Sequence, residues 1–142
     1  MQPALFDTSI YVAALRRGDD GVLAIRRLSS GSIVWLSAVV LEELYAGAGK
    51  RSREIVKRLE EDFGGAKRIL VPSLSDWTQA GEVLARLAAK YNYEHIGQGR
   101  LTNDALIAMS AGRTGVQVFT ANERDFRRLA EFRNFSWQVA AI

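Results

Sequence analysis

Ala4-Leu5-Phe6-Asp7-Thr8-Ser9-Ile10-Tyr11-Val12 is the stretch on which the reading of this chain turns. Ala4-Leu5-Phe6 is a short apolar run that reads as a buried strand, and it ends on an acid. Thr8 can then cap a helix over Ile10-Tyr11-Val12 to Arg17, which stops near Gly18. Strand, acid, helix places a carboxylate at the C-terminal end of the first strand. Open α/β sheets collect their functional groups at that edge.

The same alternation continues outward. Residues 33–36 are β-branched and aromatic and predict a second strand. Ser37 caps a helix over 39–45, closed by Gly47 or Gly49. A charged amphipathic helix spans 52–63 and ends at Gly64-Gly65, and a third strand at 69–71 is stopped by Pro72. A long helix covers 76–91, followed by a polar loop over 92–101. Thr102 or Asn103 caps a helix through Ala111 that Gly112 ends. A fourth strand spans 116–120, Asn122 or Glu123 opens a helix at 124–132, and 136–140 gives a fifth strand. Asp19 or Asp20 caps a further helix over 22–28. This order predicts an α/β fold: a central, mainly parallel sheet of four or five strands with helices on both faces.

A chain of 142 residues fits one domain, 1–142, with a core large enough to fold without covalent staples. It has no cysteine, which excludes a disulfide framework, a thiol nucleophile and a Cys-ligated zinc. The start carries no signal-like segment, and no uncharged apolar run approaches about 18 residues, so a cytoplasmic protein with no membrane contact is expected. The net charge of +3 permits a polyanionic partner. His95 is the single histidine, which excludes a ribonuclease built on two histidines. No GxxxxGK[ST] loop is present and no GxGxxG follows the first strand, so nucleotide-binding loops of those kinds are not expected.

The acids carry the chemistry. Asp7 closes the first strand, Glu43 lies on the helix after the second, Asp104 in the first turn of the helix before the fourth, and Asn122 and Asp125 just after the fourth. Each alone has a structural explanation, as a helix cap, a dipole partner or a solvated side chain. Together they map to one edge of the predicted sheet. Ionised carboxylates about 4 Å apart repel by roughly 4 kcal/mol per pair at an effective dielectric near 20. A hard cation removes that cost, and an all-oxygen ligand set suits Mg²⁺ or Mn²⁺.

Phe6-Asp7-Thr8-Ser9-Ile10 resembles the opening motif of PIN-domain nucleases. Ser37-Ala38-Val39-Val40-Leu41-Glu42-Glu43-Leu44-Tyr45-Ala46-Gly47 looks like the second motif, Asn103-Asp104-Ala105-Leu106-Ile107-Ala108 the third, and Phe119-Thr120-Ala121-Asn122-Glu123-Arg124-Asp125-Phe126 the fourth. The four stand in order across nearly the whole chain, and the pattern is most similar to the VapC toxins of bacterial and archaeal toxin–antitoxin pairs.

The resemblance implies a three-layer α/β/α fold and a Mg²⁺- or Mn²⁺-dependent endoribonuclease acting on RNA such as tRNA. It further implies a homodimer and a small antitoxin whose C-terminal segment covers the acidic site. Carried over residue by residue, Asp7, Glu43 and Asp104 match the firmest acidic positions, with Glu43 preferred to Glu42 because it directly precedes Leu44. The fourth position is either Asp125 or Asn122, with Asp125 preferred. Thr8, Ser9, Thr120 and Asn122 are candidates to orient the carboxylates or ligand waters. Arg100 and Arg124 are candidates for phosphate contacts. Arg51, Arg53, Lys57 and Arg58 alternate with acids and read as a solvated helix face. Two rival readings remain: a PIN-like module that binds RNA or protein without cutting, and a phosphohydrolase, whose second Asp is replaced here by Ser9.

Overall fold

Asp7, Thr120 and the residues beside them owe their neighbourhood to the order of the strands. A computed structural model describes residues 2–18, 21, 24–25, 27, 30–92 and 100–140, but not the side chain of Arg100. The expected helix over 22–28 with its Asp19 or Asp20 cap lies largely outside the described residues, as does His95. In chain order the elements are β1 (Ala4–Phe6), α1 (Thr8–Arg17), β2 (Val34–Ser37), α2 (Ala38–Gly47), α3 (Lys50–Gly65) and β3 (Ile69–Leu70). They continue with α4 (Leu74–Tyr91), α5 (Arg100–Thr114), β4 (Gln117–Thr120), α6 (Glu123–Ala130) and β5 (Trp137–Val139).

The five strands form one sheet in the order β3-β2-β1-β4-β5. Every pairing is parallel, with Ala4 opposite Val34 and Phe6 opposite Phe119. Helices cover both faces, giving a three-layer α/β/α fold. The chain winds from β1 to β2 to β3 in one direction, then returns to the other side of β1 for β4 and β5. The strand order therefore reverses between β1 and β4, and a crevice opens outside their carboxyl ends. Asp7 follows β1 and residues 121–125 follow β4, so both lead directly into that crevice.

The core explains why these elements form. Leu5, Phe6, Ile10, Leu36, Val40, Leu87, Ile107, Val118, Phe126 and Leu129 are fully buried or nearly so. Phe6 meets Tyr11 and Phe119 edge-on. Residues 104–111 of α5 are buried without interruption. A helix apolar all round belongs in the interior, and it takes Asp104 with it.

Several boundaries differ from expectation. Thr102 and Asn103 do not cap α5, because the helix already runs at Arg100. Asp104 consequently sits in its second turn rather than its first. Gly112 does not end it either: a Cβ there would stand 3.2 Å from Cβ of Phe135, so the glycine admits the C-terminal segment against the helix. The stop is Gly115, whose φ of 71° is left-handed. The long helix begins at Leu74, because Ser73 accepts from the Asp76 amide while the Asp76 carboxylate accepts from the Ser73 amide. No helix among the described residues is long and apolar enough to cross a membrane.

Candidate active site

The N-terminus of α1 is held by Asp7 itself, not by Thr8. The Asp7 carboxylate accepts from the Ile10 amide at 3.4 Å, and the residue is 2% exposed. Capping does not exhaust it. Thr120 donates its hydroxyl to Oδ2 of Asp7 at 2.6 Å, and Ser9 donates to Oδ1 in a short hydrogen bond. Both hydroxyls are bound in turn by the β4–α6 turn: the Ala121 amide donates to Oγ of Ser9 at 3.0 Å, and the Asn122 amide to Oγ1 of Thr120 at 2.9 Å. The crevice between β1 and β4 is thus closed by side chains that orient one buried carboxylate.

Asn122 extends the network to the next two acids. Its side-chain nitrogen donates to Oδ2 of Asp104 at 3.2 Å and to Oδ2 of Asp125 at 2.9 Å. The residue stands at the N-cap of α6 yet makes no side-chain cap bond there, since its amide is committed to the two carboxylates. Asp104 is 3% exposed, and Asp125 lies half-buried with Arg124 3.5 Å away. Arg124 itself is largely exposed and its Nε faces Asp125.

The two neighbouring glutamates point to different partners. Glu43 accepts from the Thr8 hydroxyl at 2.6 Å, which brings it to the residue after Asp7. Glu42 accepts from Asn103 at 3.1 Å, beside Asp104. The structure therefore brings Asp7, Thr8, Ser9, Glu43, Asp104, Thr120, Asn122 and Asp125 to one edge of the sheet. The side chain of Arg100 is outside the described residues. Trp77 and Tyr91 lie on α4; Tyr91 donates to Glu131 at 2.5 Å and packs under Arg128, while Trp77 is exposed. Tyr45 donates to Glu60 at 2.6 Å, and that bond, with some burial, raises its pKa.

The donor set is all oxygen and two of its carboxylates are buried, a chemistry that fits a hard divalent cation. Among the described residues, however, no three acidic or histidine side chains converge tightly enough to enclose an ion as they stand. Hydroxyl and amide donors hold the carboxylates instead.

Residues 4–132 match the PIN domain. The chain belongs to the PIN-domain family. PIN domains are generally nucleases. Solved structures with the same fold include the DNA-bound VapBC of Salmonella typhimurium, with 23% identity, 98% of each chain covered and a TM-score of 0.67. VapBC2 of Rickettsia felis bound to a promoter DNA fragment gives 23% identity, 99% and 100% coverage and a TM-score of 0.68. VapBC-1 of nontypeable Haemophilus influenzae gives 20%, 97% and 98%, and 0.67. No curated protein matches the chain.

The four sequence motifs do not mark one residue that lies at the site's margin. Arg16 shares a cleft with Thr8, Ser9 and Glu43. The available signal was its position eight residues after Thr8, two steps of four along one helix face.

Proposed function

We propose that this PIN domain is a Mg²⁺- or Mn²⁺-dependent endoribonuclease, the VapC-type toxin of a toxin–antitoxin pair, working in the cytoplasm. The observation that carries the reading is the unbroken hydrogen-bond run from Asp7 through Thr120 and Asn122 to Asp104 and Asp125 at the strand-order reversal. Asp7, Asp104, Glu43 and Asp125 would hold the cation. A bound cation would polarise the scissile phosphate and supply hydroxide near neutral pH. Thr120 and Ser9 fix the orientation of Asp7, Thr8 that of Glu43, and the Asn122 amide bridges the two aspartates of α5 and α6. Asn122 acts here as a donor, so Asp125 is the preferred fourth ligand.

Structured RNA such as tRNA is the proposed substrate, and no 2′-hydroxyl attack is needed. Water adds to phosphorus, the P–O3′ bond breaks, and the products carry a 5′-phosphate and a 3′-hydroxyl. The similarity to VapBC assemblies supports a small cognate antitoxin; a homodimer is part of the same proposal and follows from the motif resemblance alone.

The test incubates the purified chain with RNA and Mg²⁺, with EDTA, and after Asp104→Asn, alongside calorimetric titration of Mn²⁺. Cleavage that needs the ion, and Mn²⁺ binding that Asp104→Asn abolishes, is the expected result. Cleavage that survives both EDTA and the substitution would sink the assigned roles. A second reading, a PIN module that binds RNA or protein without cutting it, is favoured by the absence of a converged acidic trio among the described residues. Intact RNA bound at a single site, with no cleavage in either ion, would select it.

A further inference from the structure

Helix α1 stacks Thr8, Val12 and Arg16 on one face, four residues apart. With Ser9, Ala13 and Glu43 they line an open cleft of about 360 Å³. One end of the cleft holds the Thr8–Glu43 hydrogen bond of 2.6 Å, immediately beside Asp7. The other end holds Arg16, whose backbone position lies roughly 12 Å further along the helix at 1.5 Å rise per residue. Between them Val12 and Ala13 present a half-buried, uncharged floor.

Arg16 is exposed and takes part in no ion pair or hydrogen bond among the described residues. Other arginines are engaged: Arg113 on Asp76, Arg127 on Glu123, and Arg124 beside Asp125. A favourable helix dipole accounts for a cation in the last turn of α1, but it acts equally on Arg17, which does not line the cleft. A cluster of acids repels the phosphodiester it is meant to receive. The grip on the strand must therefore come from cations set back from the acids, and a guanidinium forks onto phosphate oxygens in two parallel bonds.

We propose that Arg16 binds a backbone phosphate of the RNA, a few nucleotides from the linkage that lies over the acids, with the strand running along the α1 cleft. This rests on the nuclease reading for its substrate class. The contact is sequence-independent, so it sets affinity and register rather than base choice.

The experiment separates the contact from the chemistry. A fluorescein-labelled RNA stem-loop is titrated into the Asp104→Asn chain, with and without Arg16→Ala and Arg16→Lys, across a series of salt concentrations. Arg16→Ala should weaken binding several-fold and lower the slope of log affinity against log salt by about one, while Arg16→Lys restores the slope. In the otherwise native chain Arg16→Ala should raise KM more than it lowers kcat. Arg16 is exposed, so an unchanged circular-dichroism melt is expected and confirms that the fold is intact. If the native chain cuts RNA but Arg16→Ala leaves affinity and slope unaltered, the contact is overturned and the nuclease reading stands. If the native chain never cuts RNA yet Arg16→Ala still weakens binding with the lower slope, the nuclease reading fails and the contact stands. A loss confined to binding of the antitoxin peptide would overturn the contact in favour of a protein partner.

Discussion

Asn122 and Asp76 show how differently a buried carboxylate can be managed. Asn122 gives its amide to Asp104 and Asp125 at 3.2 and 2.9 Å and so stands, uncharged, between two acids. An aspartate at this position would add a further negative charge to carboxylates that already repel one another. At Asp76 the answer is a cation. This fully buried residue accepts from Nε of Arg113 at 3.0 Å and from the Ser73 amide at 2.8 Å. Burial pushes its pKa up, but the Arg113 hydrogen bond and the Ser73 backbone together outweigh that and hold it below the usual carboxylate value. The two partners are not equivalent. Arg113 remains 40% exposed and can return to water alone, whereas Asp76 cannot. Arg113→Ala should therefore destabilise the fold by about 3 kcal/mol, the penalty of an uncompensated buried charge, and Asp76→Ala by less, although it also removes a helix cap. Urea denaturation at pH 7 checks the order; equal or reversed losses would refute the asymmetry. The pH sign follows from the lowered value. The stabilisation is complete above about pH 4, the unfolded carboxylate value, and drains away as pH falls through the lower folded one. The melting temperature of the native chain should fall more steeply on acidification than that of Asp76→Ala.

At the scale of elements, Gly115 governs where α5 hands the chain to β4. Its φ of 71° lets the helix end at Thr114 while the Val116 amide bonds back to Ala111 at 3.0 Å. Adding a Cβ there meets no neighbour, so the cost of Gly115→Ala is conformational alone, about 1–2 kcal/mol. A thermal melt measures it, and an unchanged midpoint would show that the turn relaxes freely. The sequence placed the end of α5 at Gly112 because glycine is the usual stop. That glycine instead accommodates Phe135, 23 residues on, and a tertiary contact of this kind leaves no local signature. The start of α5 was obscured similarly, since Thr102 and Asn103 look like caps but the helix is already running before them. By contrast Ser37 was legible as the cap of α2, because its hydroxyl bonds the Val39 amide at 3.1 Å within its own turn. Strand residues 4–6 and 117–120 were legible for a different reason: short β-branched or apolar runs bounded by polar turns admit few other readings. Local chemistry can be read along the chain. What Thr120 and Ser9 do for Asp7 depends on β4 lying beside β1, which no local pattern states.

For the molecule as a whole, the strand order is what makes separated acids a site. Because β1 is flanked by β2 and β4, Asp7 stands between the helix bearing Glu43 and the turn bearing Asn122. The folded state must then keep several carboxylates at one edge, an arrangement that costs stability until a counter-charge arrives. If that edge is a cation site, the cost and its relief are both measurable without any substrate. In EDTA the Asp104→Asn chain should be at least as stable as the native one, since one member of the cluster has been neutralised. With Mn²⁺ present at about 100 times its dissociation constant, the native chain should gain about 2.7 kcal/mol, because an ion that binds only the folded state stabilises it by mass action. Asp104→Asn should gain little. Denaturant titrations of both chains, with EDTA and with Mn²⁺, give the four stabilities that decide it. An equal response to Mn²⁺ in the two chains would mean that the ion is held elsewhere, and that the hydrogen bonds from Thr120 and Asn122 alone account for how this edge tolerates its charge.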